Sequence, residues 1–121
     1  MTITVPIQAI GKPRMTRKDR WAKRLCVVKY YQWADDFRSL VGDIPNDPTI
    51  INFKAYIPFP KSYSKKKRRE LEGKPHRVKP DLDNCLKSIM DVLLKNDQGI
   101  YKSTCEKVWT DGEPKIILEI I

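Results

Sequence analysis

Lys79-Pro80-Asp81-Leu82-Asp83-Asn84-Cys85-Leu86-Lys87-Ser88-Ile89-Met90-Asp91-Val92-Leu93 is the stretch on which the reading of this chain turns. Its apolar residues Leu82, Cys85, Leu86, Ile89, Met90 and Leu93 recur at three- and four-residue spacing. That period predicts an amphipathic helix from Asp81 to about Lys95, with one face in a core. Asp81 falls at the N-cap and Asp83 in the first turn. Unpaired N–H groups and the positive dipole end favour carboxylates at both positions. Two readings follow: the pair caps the helix, as Asp commonly does, or it is half of an oxygen-ligand metal site. The hexapeptide 79–84 alone leaves both open.

The same helix carries Lys87, four residues after Asp83 and therefore on its face. Lys87 is either an ion-pair partner or a cation that neutralises charge on a scissile phosphate. Asp91 continues the row and would pair with Lys87 or Lys95. Phosphodiester cleavage uses hard divalent ions, and Mg²⁺ often takes only one or two carboxylates plus substrate oxygens. Asp81 and Asp83 supply two acids. Asp97, in Asn96-Asp97-Gln98, is the candidate third; it stands near the wrong end of the helix unless the partner sheet curves or the loop folds over.

Further out, Ile3, Val5 and Ile7 alternate as a short strand that Pro6 confines to an edge or ends early. Tyr30, Trp33, Ala34, Phe37, Leu40 and Val41 make a helical face that Gly42 stops. Pro45-Asn46-Asp47-Pro48 is a turn cluster. Ile51, Phe53, Ala55 and Ile57 alternate as a half-buried strand, and Pro58 and Pro60 end it. Ser64 is placed to cap a short charged helix that closes at Gly73. Ile100 to Trp109 has strand composition. Asp111-Gly112 is a hairpin signal, with Ile116 to Ile120 as the returning strand. The expected fold class is α+β: one two-layer domain over residues 1–121, two main helices on a small mixed β-sheet, and a C-terminal β-hairpin. The terminal Ile120-Ile121 pair points to a self-association surface or to an edge strand of the core.

The chain has 121 residues and a formal net charge of +9, from 24 Lys and Arg against 15 Asp and Glu. That excess calls for a polyanionic partner. It is concentrated in 12–29 (Lys12, Arg14, Arg17, Lys18, Arg20, Lys23, Arg24, Lys29) and in 61–80 (Lys61, Lys65, Lys66, Lys67, Arg68, Arg69, Lys74, Arg77, Lys79). Such runs are often only solvated surface. Here both are internal, and Trp21, Tyr30, Tyr31 and Tyr63 interleave with them, which suits a phosphate grip with stacking. No run of 18 apolar residues exists to span a membrane, and the N-terminus lacks the pattern of a signal peptide. Cys26, Cys85 and Cys105 are odd in number and unpaired in spacing. They point to a reducing compartment, taken as the cytoplasm, and away from disulfides and a zinc knuckle. With His76 as the single histidine, a multi-histidine metal site within one chain is excluded.

The segment Lys79-Pro80-Asp81-Leu82-Asp83-Asn84-Cys85-Leu86-Lys87, with Asp91, resembles the RusA family of Holliday junction resolvases, prophage-type members especially. Ser64-Lys65-Lys66-Lys67-Arg68 and Glu106-Lys107-Val108-Trp109 extend the resemblance over roughly 50–120, and Gly11-Lys12-Pro13-Arg14 is a looser match. The resemblance implies a small homodimer that recognises four-way DNA junctions by shape and nicks two strands symmetrically with Mg²⁺ or Mn²⁺. It makes Asp81 and Asp83 the first two catalytic acids, Lys87 the essential lysine, and Asp97 the third acid, with Asn96 where the family pattern has an acid. DNA contacts are expected from Lys12, Arg14, Arg17, Lys65, Lys66, Lys67, Arg68, Arg69, Arg77 and Lys79. No membrane partner and no small-molecule cofactor is expected. The rival readings are a non-catalytic nucleic-acid-binding module, in which Asp81 and Asp83 merely cap a helix, and an RNA- or ribosome-associated basic protein.

Overall fold

A computed structural model describes residues 1–14 and 24–121. Strand β1 (Thr2–Val5) is followed by helix α1 (Leu25–Val41), strand β2 (Ile51–Pro58), the short helix α2 (Lys65–Leu71) and helix α3 (Leu82–Leu93). A 3₁₀ turn (Asp97–Gly99) leads to β3 (Cys105–Thr110) and β4 (Lys115–Ile120). The strands form one mixed sheet in the order β1-β4-β2-β3, so the α+β class expected from the periodicities is the class observed.

The order differs from expectation in one respect. The chain does reverse between β3 and β4, yet the two strands do not pair as a hairpin. β2 lies between them, parallel to β3 (Phe53 opposite Cys105) and antiparallel to β4 (Phe53 opposite Leu118). The reason is burial. Ile51, Phe53, Ala55 and Ile57 are all nearly inaccessible, and a strand this apolar on one face is most favourably placed at the sheet's centre. A turn signal such as Asp111-Gly112 reports chain reversal only. β4 is likewise interior rather than an edge, since β1 covers its other side. Ile120 is buried and Ile121 exposed, and the Ile121 carbonyl accepts the N–H groups of Thr49 and Ile50. Strand β3 is shorter than the composition of 100–109 suggested; the residues before it follow residues 49–53 through an isolated bridge, Ile50 with Lys102, and a few backbone hydrogen bonds.

Alternation fixes which face the helices cover. Side chains of β2 alternate across the sheet, and its buried set joins Ile116, Leu118 and Ile120 of β4. Helix α1 adds Tyr30, Trp33, Ala34, Phe37 and Val41, and α3 adds Cys85, Ile89 and Val92. Within α1, Trp33 stacks on Phe37 at 4.8 Å between centroids, and its indole N–H donates to the Gln8 carbonyl at 2.8 Å. Gly42 closes α1 with φ of 71°, a left-handed value that disfavours any residue with a Cβ. The opposite sheet face is polar. There Lys54 pairs with Glu106 at 3.2 Å, and the Asn52 amide donates to Glu119 at 2.7 Å.

Burial of one stripe therefore determines how α3 lies. Ile89 is fully inaccessible, and truncating such a residue to Ala costs about 2–5 kcal/mol. With Cys85, Ser88, Ile89 and Val92 turned inward, Asp83, Lys87 and Asp91 are left on the solvent side.

Candidate active site

The entry into α3 is held from beneath by Lys107. Its position opposite Ala55 in a parallel register turns its side chain to the helix-covered face. Its ammonium donates to the carbonyls of Val78 at 2.9 Å and Pro80 at 2.6 Å, and the Lys79–Pro80 peptide is cis. Sequence reasoning gave Lys107 no role beyond the family resemblance. The available signal was a lysine in an otherwise apolar strand position.

Asp81 occupies the N-cap with extended dihedrals, but its side chain makes no capping hydrogen bond. The Asp83 carboxylate accepts the N–H of Asn84 at 2.9 Å. Both residues are exposed. Capping, the bland reading of the pair, therefore leaves the Asp81 carboxylate unexplained. Cys85, one turn on, is a packing residue: burial pushes its thiol up to about 11, which keeps it neutral and inert.

Two clefts flank Lys87. One, of about 220 Å³, is lined by Asp83, Leu86, Lys87, Met90, Asp91 and Asp97. Asp97 thus lines the same cleft as Asp83 and Lys87. After Leu93 the backbone turns extended at Leu94 and Asn96, then enters the 3₁₀ turn that begins at Asp97. The Asn96 side chain accepts the N–H of Gln98 at 3.0 Å, so this residue fixes the turn that returns Asp97 to α3. The cleft gathers Asp83, Lys87 and Asp97; Asp81 stands outside its lining, at the head of the helix. Among the described residues, no three His, Cys, Asp or Glu side chains converge closely enough to cage a metal by themselves.

The other cleft, of about 520 Å³, is lined by Lys12, Pro13, Arg14, Asn84 and Lys87. It exists because the segment Ile10–Arg14 lies along α3. The Ser88 hydroxyl donates to the Ile10 carbonyl at 2.8 Å, and the Asn84 amide donates to the Lys12 carbonyl at 3.2 Å. The Lys12 ammonium reaches Asp91 at 2.6 Å. Asp91 therefore pairs with neither Lys87 nor Lys95 but with a residue 79 positions away. That bond raises the Lys12 pKa, with burial opposing.

The second basic run is divided in use. Ser64 caps α2 by accepting the Lys67 N–H at 3.1 Å. Arg68 is a fold clamp: it donates to the carbonyls of Tyr63 at 3.1 Å and Pro60 at 3.3 Å and faces Asp111 at 3.5 Å. Lys67 lies over the Tyr63 ring, 3.8 Å from its centroid. Lys65, Lys66, Arg69, Arg77 and Lys79 are exposed. Arg17, with Lys18, Arg20, Trp21 and Lys23 of the first run, lies outside the described residues.

Beneath this surface, His76 packs against Trp109 with centroids 4.3 Å apart. Its Nδ1 is buried without a hydrogen-bond partner, and burial, helped by nearby Lys107, lowers its pKa. Its neutral ring belongs to the aromatic cluster of Phe59, Tyr63 and Trp109.

An α+β domain with acids and a lysine on an exposed helix, next to a basic cleft, has the components of a phosphodiesterase site. A family model, endodeoxyribonuclease RusA, matches residues 6–121, and the chain belongs to that family. It is accordingly a nuclease by descent, as the resemblance of 79–87 implied. No curated protein and no solved structure matches the chain. Among the described residues, no helix is long and apolar enough to cross a membrane.

Proposed function

We propose that this chain is a divalent-metal-dependent endodeoxyribonuclease that resolves four-way (Holliday) junctions by paired symmetric nicks. The observation that carries the reading is the cleft whose lining includes Asp83, Lys87 and Asp97. Their oxygen donors suit Mg²⁺ or Mn²⁺, which completes its shell with water and phosphate oxygens. Asp81, Asp83 and Asp97 would hold the ion, which when bound activates water and stabilises the leaving oxygen.

The chain's own residues supply the rest. Lys87 lines both clefts, so its ammonium is placed between the basic side and the acidic side. Negative charge grows on the scissile phosphate as the new P–O bond forms, and a fixed cation there favours the transition state over the ground state. Arg14, Arg17, Lys65, Lys66, Lys67, Arg69, Arg77 and Lys79 neutralise backbone phosphates, with Arg68 and the Asp91-paired Lys12 acting mainly to shape that surface. The junction has approximate two-fold symmetry and needs two incisions. A homodimer with one site per protomer matches it, the sites being related as the cut strands are.

The rival reading, a binding module with Asp81 and Asp83 as caps, is disfavoured by the Asp81 side chain, which caps nothing. Incubation with an end-labelled four-way junction, with and without Mg²⁺, tests the choice. Paired nicks that require the ion are expected. A gel shift with no ion-dependent product would establish the module instead.

A further inference from the structure

Helix α3 has a second polar row beside the acidic one. Asn84, Ser88 and Asp91 stand at i, i+4 and i+7, on one face of a helix. Each binds the segment Ile10–Lys12, through the Lys12 carbonyl, the Ile10 carbonyl and the Lys12 ammonium in turn. Gly11 belongs to the same fit. A Cβ there would stand 2.6 Å from Asn84 Nδ2 and 3.3 Å from the Pro80 Cβ. Since Nδ2 is the atom that holds the Lys12 carbonyl, the side chain cannot move aside and keep its bond. The Arg14 carbonyl is held separately by Arg24 at 2.8 Å.

The basic cleft exists only while this segment stays docked. Lys12, Pro13 and Arg14 form one wall, and Asn84 and Lys87 of α3 form the other. Asp91 links the two clefts, because it lines the acidic one and grips a lysine of the basic one. We propose that Asn84, Ser88 and Asp91 are positioning residues that fasten the Ile10–Arg14 strap to α3, and that the cleft so formed is a subsite for a DNA phosphate adjacent to the scissile one. The proposal rests on the nuclease reading for what the neighbouring phosphate undergoes, and on the clefts for where it sits. A phosphate there meets Arg14 and Lys87 directly, while Lys12 stays neutralised by Asp91 and acts through its position. The strap thereby sets the register of the strand on the catalytic helix.

The test exploits a sign. Removing an acid beside DNA ordinarily tightens binding, because repulsion falls. If Asp91 holds the strap, Asp91→Asn weakens binding instead. Affinity for a labelled four-way junction is measured against KCl concentration without divalent ion, for the wild type and for Arg14→Ala, Asp91→Asn, Asn84→Ala and Gly11→Ala. Thermal melting is recorded for each. A lost phosphate contact flattens the log–log salt slope by about 0.9 and lowers affinity roughly 3-fold or more near ~0.1 M salt. All four variants are expected to show that change, though three of the substitutions remove no cation. The pair Arg14→Ala with Asp91→Asn is expected to add little to either alone. Tighter binding by Asp91→Asn, or weaker binding with an unchanged slope in the three variants that remove no cation, overturns the proposal. Should Asp91→Asn melt below the assay temperature, Asn84→Ala decides in its place. A wild type that binds but never cuts defeats the nuclease reading and leaves the subsite standing. One that cuts while the slopes stay fixed defeats the subsite alone.

Discussion

Helix α2 opens on Ser64, whose hydroxyl accepts the Lys67 N–H at 3.1 Å, whereas α3 opens on Asp81, whose carboxylate makes no such bond. Both positions have extended dihedrals and both carry side chains suited to capping. The difference lies in what else holds each helix. α2 is seven residues long and buries none of them, so its start depends on local hydrogen bonds and on the Arg68 clamp. α3 is anchored by Cys85, Ser88, Ile89 and Val92 and, through the segment before it, by Lys107. A helix fixed by its core needs its cap least, and that leaves the carboxylates at its head available for chemistry.

The comparison breaks most visibly if the acids of α3 prove structural. Asp83→Asn is expected to lower the cleavage rate by about 10³-fold or more, ~4 kcal/mol in barrier. Junction binding should be retained or strengthened and the melting temperature nearly unchanged. Full activity in a Mg²⁺ cleavage assay would reduce Asp83 to a first-turn acid. Asp97→Asn and Asp81→Asn should match it; a normal rate for Asp97→Asn would remove the folded-back turn from the site.

Lys87→Ala should cost about 10²-fold in rate, on the scale of one lost transition-state donor. The salt slope of binding should change by no more than a single contact, about 0.9. In α2 the opposite split is expected. Replacing Lys65, Lys66 and Lys67 with Ala should flatten the slope by up to about 2.7, three contacts, and weaken duplex and junction binding alike. Wild-type affinity and slope in that variant would make α2 a solvated face.

The stability predictions are smaller. Ser64→Ala should cost about 1 kcal/mol in denaturant unfolding, while Asp81→Ala should cost only a few tenths, since no cap bond is lost. Equal costs would erase the contrast between the two helices. His76 gives the weakest effect. Its folded pKa is lowered by burial, so as pH falls the unfolded chain takes up the proton first, near ~6.5. Stability should be full above that value, decline as pH drops toward the lower folded pKa, and then level off. His76→Phe should remove this dependence in a pH series of melts.

Much of the fold was legible because its signals are local. The three-and-four spacing of 82–93, the alternation of 51–57, and the stops at Gly42 and Gly73, both at positive φ, each involve residues within one or two turns. The Asp83–Lys87 row was legible for the same reason, since helical geometry fixes i and i+4. The pairing of Asp91 was misread because the helix offers Lys87 and Lys95 as local partners. The strap brings Lys12 instead, in a position where the ion pair is about three-quarters shielded on the lysine side, with 26 % of that side chain exposed.

By itself the sequence determined the α+β class, the helix that carries the acids, the capping of α2 and the basic excess, because periodicity, turn chemistry and charge are properties of neighbouring residues. Only the tertiary structure decided that β2 separates β3 from β4, that Asp97 returns to α3, that Lys107 holds the entry to that helix, and that Gly11 to Arg14 forms its second wall. Those contacts join segments up to 79 residues apart. They follow from burying one apolar face of a sheet beneath two helices, a condition on the whole chain that no window of it contains.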